Sequence, residues 1–176
     1  KNLAVKLAET REEIEKARVL RFDELINKSN PNIPYSQCFD DSDFIYDHLI
    51  VIDRDNGSVV GTYRLGRREQ LEKIGDFYTN VKFNVDSLMA AEGEVLELSR
   101  MAIRESYRDG SVIKLLWKGL FAYCARFDVK WLFGIISLPT TEPDDALNFL
   151  SYINNGLLTE EFDLFAREPV VMTKLL

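Results

Sequence analysis

Polar and apolar positions divide the chain into short strands separated by helical stretches. Asn2–Leu7 alternates weakly and predicts a first strand. Thr10-Arg11-Glu12-Glu13 has the spacing of a capping box, with Thr10 as N-cap and Glu13 facing back toward it. The helix it opens is expected to reach about Ile26, with Ile14, Ala17, Leu20 or Arg21, and Leu25 along one face. Pro31 and Pro34 make Ser29–Gln37 a loop. His48–Asp53 and Ser58–Leu65 are strands, and Asp55-Asn56-Gly57 between them is a hairpin signal. Gln70–Leu88 is ambiguous, a short helix and a strand-like piece through Phe83. Glu94–Ile103 alternates and predicts a strand, and Ser106–Gly110 a turn. Ser111 is expected to cap a helix to about Phe127, with Val112, Leu116, Leu120 and Cys124 on one face. Val129–Leu138 reads as a buried strand, Asp144–Asn154 as a helix stopped by Asn155-Gly156, and Pro169–Leu176 as a last strand.

Strands interspersed with helices in this order imply an α/β or α+β fold, a single sheet covered by helices. No repeat or linker splits residues 1–176, so one domain is expected.

Composition narrows the function. The chain carries 22 Lys and Arg against 29 Asp and Glu, a net charge of −7, which argues against general nucleic-acid binding. Its longest apolar runs, such as Trp131–Leu138, are strand-sized and far short of the roughly 20 residues of a membrane span. A peripheral membrane contact stays open. Two distant cysteines, Cys38 and Cys124, make no disulfide framework and suit a reducing compartment; with no targeting pattern at the start, a cytoplasmic location is expected. The chain opens on Lys1 rather than Met, which leaves a trimmed start open. His48 is the sole histidine, and without CxxC or HxxxH spacing no metal site is expected. No GxSxG motif supports a serine nucleophile.

Three segments carry chemistry. From Glu94 to Phe127 a strand, the turn Tyr107-Arg108-Asp109-Gly110-Ser111 and a helix follow one another. Free N–H groups at that helix start, with Arg108 beside them, are a candidate phosphate site formed by Arg108, Gly110 and Ser111. In Glu97-Leu98-Ser99-Arg100 two charges interrupt an apolar strand, where burial is costly unless they are paired or used. On a regular strand residues 97 and 100 point to opposite faces; a β-bulge between them would bring both to one face. Arg64 closes the apolar part of its strand and is a candidate to hold a substrate carboxylate.

The sequence resembles the GNAT-superfamily N-acyltransferases that acylate amino acids from acyl carrier protein. The nearest types are the ornithine-lipid-forming (hemolysin-like) acyltransferases and the N-acyl amino acid synthases; acyl-homoserine lactone synthases are more distant. The likeness spans about Arg21 to Ser137. It rests on Asp47-His48-Leu49, Val60-Gly61-Thr62-Tyr63-Arg64-Leu65, Phe77-Tyr78, Glu97-Leu98-Ser99-Arg100, Tyr107-Arg108-Asp109-Gly110, Leu116-Trp117-Lys118-Gly119-Leu120 and Leu132-Phe133-Gly134. It implies a GNAT-like mixed, mostly antiparallel sheet flanked by helices, with two splayed strands receiving the donor's pantetheine arm. The phosphate loop of acetyl-CoA users is reduced here to Gly110, which suits the single phosphodiester of a carrier protein. Lactone synthases often have an N-terminal Trp; here the tryptophans are Trp117 and Trp131.

On this resemblance the reaction is direct transfer of a long-chain fatty acyl group from acyl carrier protein to the α-amine of an amino acid. Acyl-CoA is the alternative donor, and no tightly bound cofactor is expected. Glu97 is the candidate base, with Arg100 and Ser99 beside it and a backbone N–H near Ser99–Met101 as oxyanion donor. Arg64, Arg21 and Asp47 are assigned to the acceptor. Phe121, Trp131 and Phe133 are assigned to an acyl pocket. Arg104, Lys114 and Lys118 are assigned to carrier-protein docking, because residues 100–130 hold seven basic and three acidic groups in an otherwise acidic chain. A lactone synthase, an acetyl-CoA-dependent N-acetyltransferase and a non-catalytic carrier-binding module are the alternatives.

Overall fold

The computed structural model describes residues 1–28, 30–38, 41–138, 140, 142–154 and 161–168. In chain order its elements are β1 (Leu3–Leu7), α1 (Arg11–Arg21), β2 (Asp47–Asp53), β3 (Ser58–Arg67), α2 (Arg68–Ile74), β4 (Phe83–Asn84), α3 (Asp86–Met89), β5 (Glu94–Ile103), α4 (Ser111–Arg126), β6 (Val129–Phe133), α5 (Pro143–Asn154) and β7 (Phe165–Ala166). They fall into two compact units, Lys1–Phe77 with Gly93–Phe133 and Tyr78–Glu92 with Gly134–Leu176.

The first unit holds a five-stranded sheet in the order β1-β2-β3-β5-β6. Every pair is antiparallel except β5–β6, which is parallel. This mixed, mostly antiparallel sheet flanked by helices is the expected architecture. Side chains alternate across its two faces. One face buries Leu49, Val51, Val60, Leu65 and Leu96 against Val112, Leu116, Leu120 and Tyr123 of α4. The other buries Ile50, Val59 and Ala102 against Ala17 and Leu20 of α1. Each fully buried aliphatic side chain contributes about 1.5–3 kcal/mol. At Gly61 an added Cβ would lie 2.3 Å from Val112 Cγ1, so the absent side chain lets α4 approach β3.

Sequence signals and structure agree at most starts and differ at several ends. Thr10 Oγ1 accepts from the Glu13 N–H at 3.2 Å, but the Glu13 carboxylate reaches one residue further back, to the Glu9 N–H. The α-helix ends at Arg21, and Phe22–Asn27 continues it as a wider π-type turn. Gly110, at φ 87°, caps α4, so Ser111 is its first residue rather than its cap. Residues 35–37 of the predicted loop form a short 3₁₀ turn. β6 stops at Phe133 and is only half-buried, with β5 as its neighbour among the described residues, so the apolar run to Leu138 does not continue as strand. Asn155-Gly156 and Pro169–Leu176 lie outside the described residues.

The second unit pairs β4 with β7 and carries α3 and α5. Arg167 ties it locally, donating from Nε to the Asn80 carbonyl and from Nη2 to Asn80 Oδ1, both at 2.7 Å.

Candidate active site

The face of the sheet toward α1 holds a buried polar cluster. β2 and β3 place His48 and Arg64 directly opposite each other, and β5 places Ser99 beside Arg64. Asp43, in the short 3₁₀ turn Asp41–Phe44 before β2, supplies the central carboxylate. Arg21 Nη2 donates to Asp43 Oδ2 at 2.8 Å and Arg64 Nη1 to Oδ1 at 3.2 Å. Arg18 approaches the same carboxylate at 3.5 Å. Arg64 also donates from Nε to Ser99 Oγ at 3.0 Å, and its guanidinium lies 4.2 Å from the centre of the Tyr46 ring. Arg21, Asp43, His48, Arg64, Glu97 and Ser99 are all buried.

The electrostatics follow from that burial. Burial alone would raise the Asp43 carboxyl, but Arg21 and Arg64 outweigh it and hold it below the usual range. Burial pushes the Arg21 guanidinium down, with Arg64 and Arg100 adding to the effect against the pull of Asp43. Burial also holds the His48 imidazole down at about 4, so it is neutral near pH 7. Its Nε2 lies 2.7 Å from the Asp43 carbonyl oxygen, which accepts; that makes Nε2 the protonated nitrogen.

Glu97 faces this cluster by its regular pairing with Gly66, and the bulge that the sequence offers for Glu97 and Arg100 follows at Arg100, within reach of Arg21. Arg64 pairs with Ser99 and Thr62 with Ala102, so Tyr63 faces one residue too many on β5. Arg100 takes up the excess in the left-handed region, at φ 56°. Glu97 is 0% exposed, beside Gly66 of β3. Its other neighbour, Phe133, is the last residue of β6; β5 then runs on to Ile103 without β6 alongside.

Other predicted residues stand elsewhere. Asp47 is one residue from His48 and therefore on the opposite face. There it accepts from the Tyr123 hydroxyl at 2.5 Å, which in turn accepts from Arg67 Nε at 2.7 Å. Arg67 stacks 3.7 Å from the centre of the Phe127 ring. Asp47 is thus not grouped with Arg21 and Arg64. Phe121 lies on the outer side of α4, 63% exposed against Trp117. Trp131 and Phe133 pair in register with Val95 and Glu97, on the sheet's other face, so the three aromatics form no common pocket. Phe133 packs edge-on against Phe77. Arg104 lines a groove with Glu12, Glu15 and Lys16 of α1, away from Lys114 and Lys118 on α4.

The predicted phosphate turn has its own occupants. The Ser111 N–H and hydroxyl both donate to Asp109 Oδ1, at 3.0 and 2.5 Å. Asp109 also pairs with Lys1 at 2.8 Å. Arg108 donates to Glu24 at 2.6 Å and to the Ile103 carbonyl at 3.0 Å. An incoming phosphate would compete with two carboxylates for these donors.

Sequence reasoning missed Asp43, Tyr123 and Arg67. The available signal for Asp43 was an acidic residue just before a strand whose partner carries a buried Arg; Tyr123 was readable only as a hydroxyl on the apolar face of α4.

The family pattern described as acetyltransferase (GNAT) domain matches residues 18–118. The chain is 33% identical, over 94% of its length, to an L-ornithine N(α)-acyltransferase of Brucella abortus, and spans 63% of that protein. Among solved structures it resembles the aminoglycoside N-acetyltransferase AAC(6')-Iy in complex with CoA, with TM-score 0.54 and 13% identity over 99% of this chain and 95% of that one. It also resembles FeeM, an N-acyl amino acid synthase from uncultured soil microbes, with TM-score 0.53 and 11% identity over 84% of this chain and 75% of that one.

Proposed function

The chain belongs to the GNAT acetyltransferase domain family, and from that premise we propose that it moves a long-chain fatty acyl group from acyl carrier protein to the α-amine of ornithine. The placement of Glu97 carries this reading: a fully buried carboxylate where β6 leaves β5, two residues from the serine that holds Arg64. The likeness to the Brucella abortus enzyme supports the acceptor, and the likeness to FeeM supports amino acid acylation.

The amine nitrogen attacks the thioester carbonyl, the tetrahedral intermediate collapses as the C–S bond breaks, and the carrier sulfur leaves as thiolate, to be protonated by the proton that Glu97 took from nitrogen. Glu97 takes the proton from the attacking nitrogen, directly or through a water. Backbone N–H groups at the bulge are candidates to hold the oxyanion, because the register of β5 against β3 slips there, next to Glu97 and Ser99. Arg21 and Arg64, with Arg18 nearby, gather cationic groups around Asp43, and half-buried Arg100 adds its charge to the same cluster, which suits an acceptor carboxylate. The acceptor contact is assigned to Arg64 and Arg100, with Arg21 positioning them through Asp43. The donor's phosphate is assigned to Arg108, Gly110 and Ser111, in exchange for Asp109.

Expression in a bacterial host followed by mass spectrometry of the lipid extract tests the proposal. N-acyl ornithine is the expected product. Acyl-homoserine lactones, acetylated amines or no new product would overturn it.

A further inference from the structure

The outer face of α4 has a composition that its neighbours do not share. The helix holds three basic residues and no acidic one, in a chain of net charge −7. At 100° per residue, Trp117, Phe121, Lys114, Ala125, Lys118, Ala122 and Arg126 fall in that order on one half of the helix, opposite buried Val112, Leu116, Leu120 and Tyr123. All seven are exposed. Lys114, Lys118 and Arg126 have no carboxylate partner among the described residues. Trp117 and Phe121 stack on each other, ring centres 5.8 Å apart, while 41% and 63% exposed.

Beside this face lies a cleft of about 290 Å³ between α4 and the β1 edge of the sheet. Val5, Leu7, Leu49 and Ala122 line it, and Lys118 and Arg126 stand at its rim. Gly119 sets its depth: an added Cβ would come within 2.9 Å of both Val5 and Leu49. The cleft and the exposed rings are on the α4 side of the sheet, away from Glu97 and Asp43.

We infer that this face docks on an anionic bilayer, with Trp117 and Phe121 at the headgroup level, Lys114, Lys118 and Arg126 against lipid phosphates, and the apolar cleft open to an acyl chain. Unpaired cations around exposed aromatic rings match the charge and polarity of a lipid interface. Arg67 and Tyr123, which link α4 to β2 and β3, hold the face rigid from behind.

Flotation of the full chain with vesicles tests this. Binding is expected to vesicles of phosphatidylcholine with 30% phosphatidylglycerol (about one anionic lipid in three), and not to phosphatidylcholine alone. Lys114→Ala and Lys118→Ala should each weaken it about fivefold. Trp117→Ala with Phe121→Ala should abolish it, while circular dichroism and acyl transfer in detergent solution stay unchanged. Transfer in detergent separates this test from the proposed reaction. In Trp131→Phe protein, the remaining Trp117 emission should shift to the blue on anionic vesicles. Absence of vesicle binding, binding indifferent to the ring substitutions, or the same substitutions blocking an acidic carrier protein while vesicles are ignored would each overturn the inference.

Discussion

The two faces of the central sheet are built from the same three strands and differ in almost every other respect. Leu49, Val51, Leu65 and Leu96 point to α4 and pack into an apolar core of aliphatic and aromatic side chains, with the Asp47–Tyr123–Arg67 link as its polar edge. Their neighbours His48, Arg64 and Glu97 point to α1 and share that face with Arg21, Asp43 and Ser99. An aliphatic face gains from burial alone. A face of buried charges is stable only when every charge has a partner, because desolvating ions costs several kcal/mol each. The contrast teaches that β2, β3 and β5 divide stability and chemistry between alternate residues, so single substitutions can separate the two.

The largest expected effect is on the charged face. Asp43→Ala leaves Arg21 and Arg64 buried against each other and should lower stability by about 3–5 kcal/mol in urea unfolding. Leu116→Ala breaks the other face and should cost about 2–5 kcal/mol. Acyl transfer per folded molecule should survive it, and a loss at full folding would show that the faces are not separable. Glu97→Gln should cut acyl transfer by roughly 10² or more, with little change in the unfolding midpoint. Near-full activity would remove Glu97 from the mechanism.

The smallest effect sharpens the comparison through pH. His48 is held at about 4 in the folded protein and takes up its proton near 6.5 when unfolded. Its contribution is therefore fully present above pH 6.5 and is lost as pH falls toward 4. Urea unfolding at pH 5 should show about 2 kcal/mol less stability than at pH 7 from this group. His48→Gln should flatten that slope.

Most of the frame was legible in the sequence because it rests on local spacing. Apolar positions at three- and four-residue intervals marked α1 and α4, and Asn56-Gly57 marked the turn between β2 and β3. The bulge was legible for a different reason: Glu97 and Arg100 are three residues apart, and two costly charges in one strand called for a common destination. Asp43 was not, because its partners lie 22 and 21 residues away on separate elements and its own turn has no periodicity. Asp47 was assigned to the wrong group because adjacent residues on a strand face opposite ways, a fact the motif Asp47-His48-Leu49 conceals. β6 was overextended because an apolar run does not reveal where its neighbouring strand is.

A strand is a wave of period two, and the bulge at Arg100 is a slip of half a period. Before it, odd-numbered Glu97 and Ser99 look toward α1; after it, even-numbered Ala102 does, while Ile103 packs with the α4 core. What a length change in β5 does therefore depends on where it falls. Removing the one extra residue at the slip would restore a uniform wave with Ala102 still opposite Thr62 and Ile103 still opposite Gly61, whereas removing one residue elsewhere in the strand, with the bulge kept, would reverse the faces of the residues beyond it. In descendants of this sequence, single-residue deletions in β5 should fall at the slip, and length changes elsewhere in the strand should come in even numbers.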